Sequence, residues 1–129
     1  MRKLKVLMVD DEVSLTRLTK LNLEAEGSFE VQTVNQGRQA LNAARTFRPD
    51  IILMDVMMPD MGGGEAADAI RKDSLVGQTP IVFLTAAVRK KEVDAAGGTI
   101  GGQAYIAKPV TATELANILA KFSINLPAA

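Results

Sequence analysis

In ILMDVMMPD, Ile52–Asp60, an apolar run ends on a single carboxylate, Asp55, and the chain then turns at Pro59. A strand buried on both faces reads as a short, unbroken apolar run, and Ile51–Met54 is one. Val6–Val9 and Ile81–Leu84 are two more, each four residues long and closed by polar or turn residues. Phe29, Val31 and Thr33 alternate with polar residues, which predicts a strand nearer the sheet edge, and Ala104–Ile106 supplies a fifth.

Helical patterns lie between these runs. Leu15, Leu18, Leu21 (or Asn22) and Ala25 recur at helical spacing, as do Ala40, Leu41, Ala44 and Phe47, with Gly27 and Pro49 closing the two segments. Thr111 and Glu114 read as a capping box ahead of Leu115, Ile118, Leu119 and Phe122. Strand and helix alternating in this way predict an α/β fold, a parallel sheet covered by helices on both faces. The 129 residues, 47% of them hydrophobic, suffice for one domain with a core and not for two, with its folded part spanning about residues 4 to 124.

Fifteen basic residues balance fifteen acidic ones, so no overall positive field recommends nucleic acid or an anionic membrane, and no helix-turn-helix pattern follows. The absence of cysteine removes disulfides and thiolate chemistry, and the absence of histidine removes Ser-His-Asp catalysis, imidazole-bound zinc and a histidine phosphoacceptor. The apolar run after the basic start is too short for a signal peptide and nothing approaches a membrane span, so a cytoplasmic location is expected.

In an open parallel sheet, ligands bind beyond the carboxyl ends of the strands. Asp10 and Asp11 follow the first predicted strand, Asp55 ends the third, Thr85 follows the fourth and Lys108 the fifth. All fall at one edge. Two carboxylates about 4 Å apart repel by roughly 4 kcal/mol at an effective dielectric near 20, so three of them call for a cation. An all-oxygen donor set with few protein ligands suits Mg2+, with Mn2+ as the alternative. Lys108 and Thr85 suit the oxygens of an anion on that metal, and Asp55 is a candidate nucleophile. Taken singly, each residue has an ordinary reading: Asp10, Asp11 and Glu12 as a helix start, Asp55 as turn chemistry, Thr85 as a cap and Lys108 as a solvated lysine. The ordinary readings do not require all of them to share one sheet edge.

VLMVDDE, ILMDVMMPDMGGGE, PIVFLTA and YIAKP together resemble the receiver domain of two-component response regulators over essentially the whole chain. The resemblance implies a doubly wound, flavodoxin-like sheet of five parallel strands in the order 2-1-3-4-5 with five helices. It implies that Asp55 takes a phosphoryl group from a phosphohistidine on a histidine kinase or histidine phosphotransfer protein. By the same resemblance, Asp11, Asp55 and the backbone carbonyl of Met57 bind Mg2+ directly and Asp10 helps through water. Lys108, Thr85 and the backbone of Ala86 meet the phosphoryl oxygens, Tyr105 turns inward as Thr85 moves, and the Lys108–Pro109 peptide is cis. Two other functions stay open. One is a receiver-like interaction module that works without phosphorylation. The other is a Mg2+-dependent phosphatase of the haloacid dehalogenase kind, against which Met57 stands where that family has a second Asp.

Two stretches depart from the family pattern. Gly62 occupies the place of an Asp or Asn, which predicts a looser loop after Pro59. In AAGGTIGGQAYIAKP, four glycines at 97, 98, 101 and 102 predict a short fourth helix near Arg89–Ala96 and a mobile connection after it.

Overall fold

The computed structural model describes residues 3–86, 99–100 and 103–124. The elements run β1 (Leu4–Val9), α1 (Val13–Ala25), β2 (Phe29–Val34), a 3-10 turn (Gly37–Gln39), α2 (Ala40–Phe47), β3 (Ile51–Met54), α3 (Gly63–Arg71), β4 (Ile81–Thr85), β5 (Thr99–Ile100), β6 (Gln103–Ala107) and α4 (Ala112–Ile124). The helix expected near Arg89–Ala96 lies outside the described residues, as do residues 97–98 and 101–102 of the glycine-rich connection.

The sheet order is β2-β1-β3-β4-β6-β5. Its first five members pair in parallel, which is the expected order of five strands. The sixth is new: Thr99–Ile100 pairs antiparallel with the start of β6, Thr99 opposite Ala104 and Ile100 opposite Gln103. Two residues are too few to leave a periodic signal.

Side chains alternate across a strand, so the unbroken apolar runs feed two cores. Val6, Met8, Leu53, Val82 and Leu84 pack with Leu23 of α1 and with Leu115 and Leu119 of α4. Leu7, Val9, Ile52 and Met54 face the other way, onto Ala40 and Ala44 of α2 and Ala67 and Ile70 of α3. Each such side chain contributes roughly 1.5–3 kcal/mol by leaving water.

Register sets what emerges at the carboxyl edge. Val9 pairs with Val34 and with Met54, so the residues after β1 and β3 leave the sheet side by side. The Asp55 N–H donates to Val9 O at 2.9 Å, and the Asp10 N–H to Val34 O at 3.1 Å. Thr85 pairs with Ala107, and the Lys108 N–H donates to Thr85 O at 2.9 Å.

The helix ends follow sequence chemistry in most places. The Thr111–Glu114 capping box is present in both directions, at 3.0 and 3.1 Å. Gly27, at φ +81°, follows α1, and Arg48 takes the left-handed conformation after α2, ahead of Pro49. The face of α1 differs from the leucine repeat. Thr16 and Leu23 are buried, whereas Leu18 is 56% and Leu21 66% exposed. Burial of Thr16 is tolerated because its hydroxyl donates to Val13 O at 3.0 Å and accepts from Asn35 Nδ2 at 3.0 Å. Lys20 and Glu24 turn toward the outer edge of β2, where Lys20 Nζ donates to Val31 O at 2.7 Å and Glu24 Oε2 accepts from the Val31 N–H at 3.0 Å.

Candidate functional site

The fold brings the sequence candidates together. Asp11, Glu12, Asp55, Met57, Thr85, Ala86 and Lys108 line a cleft of about 460 Å3 at the carboxyl edge. Carboxylate oxygens of Asp10, Asp11 and Asp55 lie within 4.8 Å of one another. Asp10, Asp55 and Thr85 are 1%, 6% and 1% exposed, so these are buried polar groups and not surface turn residues. Lys108, with a side chain 11% exposed, is not a solvated lysine. Its ammonium donates to Asp10 Oδ2 and to Glu12 Oε1 (3.2 Å) and stands 3.8 Å from Asp55 Oδ2. The Lys108–Pro109 peptide is cis. Tyr105 is half-buried, its ring 5.5 Å from that of Phe83.

The helix-start reading of the acidic pair does not describe what they do. Glu12 is the N-cap of α1 and its side chain makes no capping bond, while Asp10 Oδ1 accepts from the Glu12 N–H at 3.0 Å. Asp10 therefore has Lys108 and a backbone amide as partners and still turns toward Asp11 and Asp55.

In the site three carboxylates share one lysine, and their electrostatics reflect it. Burial, then the charge of Asp10, pushes the Asp55 carboxyl above its ordinary value; Lys108 and the Met57 N–H pull it down, and Asp11 pushes it up further. For Lys108, burial opposes the charge, but Asp10, Asp55 and Glu12 outweigh it and hold the ammonium above the ordinary lysine value. The donor set fits a small hard cation: ligands at about 2.1 Å in an octahedron stand about 3 to 4.2 Å apart, a spacing these oxygens reach with little movement.

The loop between β3 and α3 shows why its glycines stand where they do. A Cβ on Gly63 would lie 2.0 Å from Asp55 O and 2.8 Å from Val56 Cα, so the helix can begin beside Asp55 only with glycine there. Gly62 is the N-cap of α3 with an extended backbone, φ −61° and ψ 150°, and a Cβ there would meet only Val56 O, at an ordinary 3.8 Å. The looseness expected there is countered by Asp60, whose two oxygens accept from the N–H groups of Gly37 and Arg38, each at 3.1 Å. Those bonds tie the loop to the start of the 3-10 turn, and the Arg38 amide is the main reason the Asp60 carboxyl sits below its ordinary value.

Three contributors carry no functional reading in the sequence, where Glu12 reads only as part of a helix start. Glu12 reaches Lys108, Asp60 anchors the loop, and Asn35 Nδ2 bridges Asp10 O (2.8 Å) and Thr16. Asn35 follows β2 at the same edge, so the rule that found the aspartates reaches it also. Asp60 carries no such signal, because its partners lie 22 and 23 positions away.

Residues 6–120 match the family profile described as the response regulator receiver domain. The chain is 40% identical over 111 residues to the DNA-binding response regulator MtrA of Mycolicibacterium paratuberculosis, covering 86% of this chain and 47% of that protein. It thus spans about half the length of the curated relatives it matches. Among solved structures, the chemotaxis protein CheY4 of Vibrio cholerae superposes with a TM-score of 0.76 at 34% identity, covering 93% of this chain and 98% of that one. The receiver domain of the sensor histidine kinase PA1611 from Pseudomonas aeruginosa, with a magnesium ion in its active-site cleft, superposes at 0.75 with 29% identity, covering 93% and 97%. The carboxylates, the lysine and the threonine thus meet at one edge of the sheet, and the chain belongs to the response regulator receiver domain family of two-component signalling.

Proposed function

We propose that Asp55 is the phosphoacceptor and that its donor is a phosphohistidine on a histidine kinase or histidine phosphotransfer protein. The observation that carries the reading is the meeting of three carboxylates within 4.8 Å, with Lys108 beside them and Thr85 at the end of the next strand. One Asp55 oxygen attacks phosphorus as the P–N bond breaks, and the bonding electrons leave on the imidazole nitrogen, which then takes a proton from solvent. Asp11, Asp55 and the Met57 carbonyl would hold Mg2+ (or Mn2+), with Asp10 behind them through water. When bound, the ion supplies the positive charge that lets the carboxylates stay ionised together and accepts a phosphoryl oxygen.

The other residues act on the charge that arrives. Lys108 neutralises phosphoryl oxygens, and the Thr85 hydroxyl and the Ala86 N–H donate to them. A group bearing nearly two negative charges so placed favours a packing in which Thr85 moves toward it and Tyr105 follows. This makes residues 1–129, with a core of about 4–124, one receiver domain whose partner-binding face responds to phosphorylation. Its only chemistry is then its own phosphotransfer and the hydrolysis of its own acyl phosphate. No direct contact with nucleic acid is proposed for this chain, whose formal net charge is zero. Among the described residues no helix is long and apolar enough to cross a membrane.

The test is intact mass after incubation with acetyl phosphate. A gain of one phosphoryl group is expected with Mg2+, none with EDTA, and none in Asp55→Asn. A gain in Asp55→Asn equal to that of the wild type removes Asp55 from the role.

A further inference from the structure

Lys108 is the cation that must meet the phosphoryl group, yet its ammonium is committed elsewhere. Two of the carboxylates around it, Asp10 and Asp55, belong to the cluster that would hold the metal. The third, Glu12, does not: it lies outside that cluster, its side chain is 61% exposed, and it does no capping work at the start of α1. Its side chain accepts from the Lys108 ammonium at 3.2 Å. Lys108 also lines a second cavity, of about 360 Å3, together with Leu15, Pro109, Val110 and Leu115. Its ammonium stands between Glu12, at the start of α1, and Asp55.

We propose that Glu12 is a positioning residue that grips the Lys108 ammonium on the α1 side while Asp55 is unmodified and yields it when the phosphoryl group forms. The inference deepens the reading of Asp55 as acceptor and rests on it. An ammonium has three donors, and here Asp10 and Glu12 take two of them while Asp55 stays 3.8 Å away. Phosphoryl oxygens on Asp55 offer a stronger partner, and the exposed Glu12 is the weaker of the two present ones. Glu12 thereby sets a threshold: its grip favours the unphosphorylated arrangement and opposes the phosphorylated one. Exposed pairs are weak, so the effect is about two- to five-fold in an equilibrium constant.

Beryllofluoride, an acyl phosphate mimic that adds to a carboxylate, tests this by titration at saturating Mg2+ with the full chain, Mg2+ affinity being measured separately. Glu12→Gln removes both charge and grip. Glu12→Asp keeps the charge on a side chain one methylene shorter, which no longer reaches Lys108. Tighter beryllofluoride binding by about two- to five-fold in both variants is the expected result. Tighter binding in Glu12→Gln alone assigns the effect to the field of the carboxylate and overturns the grip, as does no change or weaker binding in both. Failure of the wild type to bind beryllofluoride with Mg2+ in place is a different outcome, which removes the acceptor reading itself and the inference with it.

Discussion

The two ends of the parallel sheet treat charge in opposite ways. At the amino edge opposite partners meet. Asp50 accepts from the Lys5 N–H at 2.8 Å, the Lys5 ammonium lies 4.5 Å over the Phe47 ring, and Arg45 pairs with Asp73. Arg71 donates to Gln103, whose amide donates in turn to Ile81 O at 2.8 Å, joining α3, β6 and β4. At the carboxyl edge three carboxylates face one another and share one lysine. The first arrangement fastens elements together. The second holds like charges close so that a cation and an anion can complete it, and in their absence it costs stability.

That contrast makes predictions of opposite sign. The largest effect is steric: Gly63→Ala forces a Cβ into the Asp55 carbonyl, 2.0 Å away, and thermal unfolding should show a loss of about 3 kcal/mol or no fold at all. Next is Asp55→Asn without metal. The folded chain keeps a proton on Asp55 that the unfolded chain sheds at lower pH, so wild-type stability falls as pH rises through that window. The variant escapes the loss, and at pH 7 in EDTA it should be more stable by on the order of 1–2 kcal/mol. Its advantage should vanish below the ordinary carboxylate range, and saturating Mg2+ should stabilise the wild type more than the variant. A less stable variant in EDTA would break the contrast between the edges.

Asp50→Ala probes the fastening edge. Loss of the acceptor for the Lys5 N–H should lower stability by about 1 kcal/mol, equally with and without Mg2+. Dependence on Mg2+ would mean that the two edges are coupled. The smallest effect is expected from Gly62→Asn, which gives α3 a side-chain cap at a position whose backbone is already extended and unobstructed. Stability should rise by about 0.5 kcal/mol with the phosphorylation level unchanged.

Legibility in the sequence followed the range of the forces involved. The buried strands were readable because burial on both faces leaves no polar residue within Ile51–Met54 or Val6–Val9, and the end of α4's preceding loop because a capping box spans four residues. The site was readable because parallel strands collect whatever follows each of them at one edge, which needs only their order along the chain. The face of α1 was not. Its leucines suggest one stripe, but the helix packs by Thr16 and Leu23, with Lys20 and Glu24 turned to Val31. Glu12 and Asp60 act through partners distant in sequence, Lys108 and Gly37, and no local pattern marks such pairs.

Asp55, the residue after β3, is the proposed carrier of the phosphoryl group. Borohydride reduction of the phosphorylated chain turns an aspartyl phosphate into homoserine, which peptide mass spectrometry locates. The account predicts homoserine at position 55, dependent on Mg2+ during phosphorylation. Homoserine at Asp10, Asp11 or another acid, or none in a chain that has gained phosphoryl mass, would contradict it.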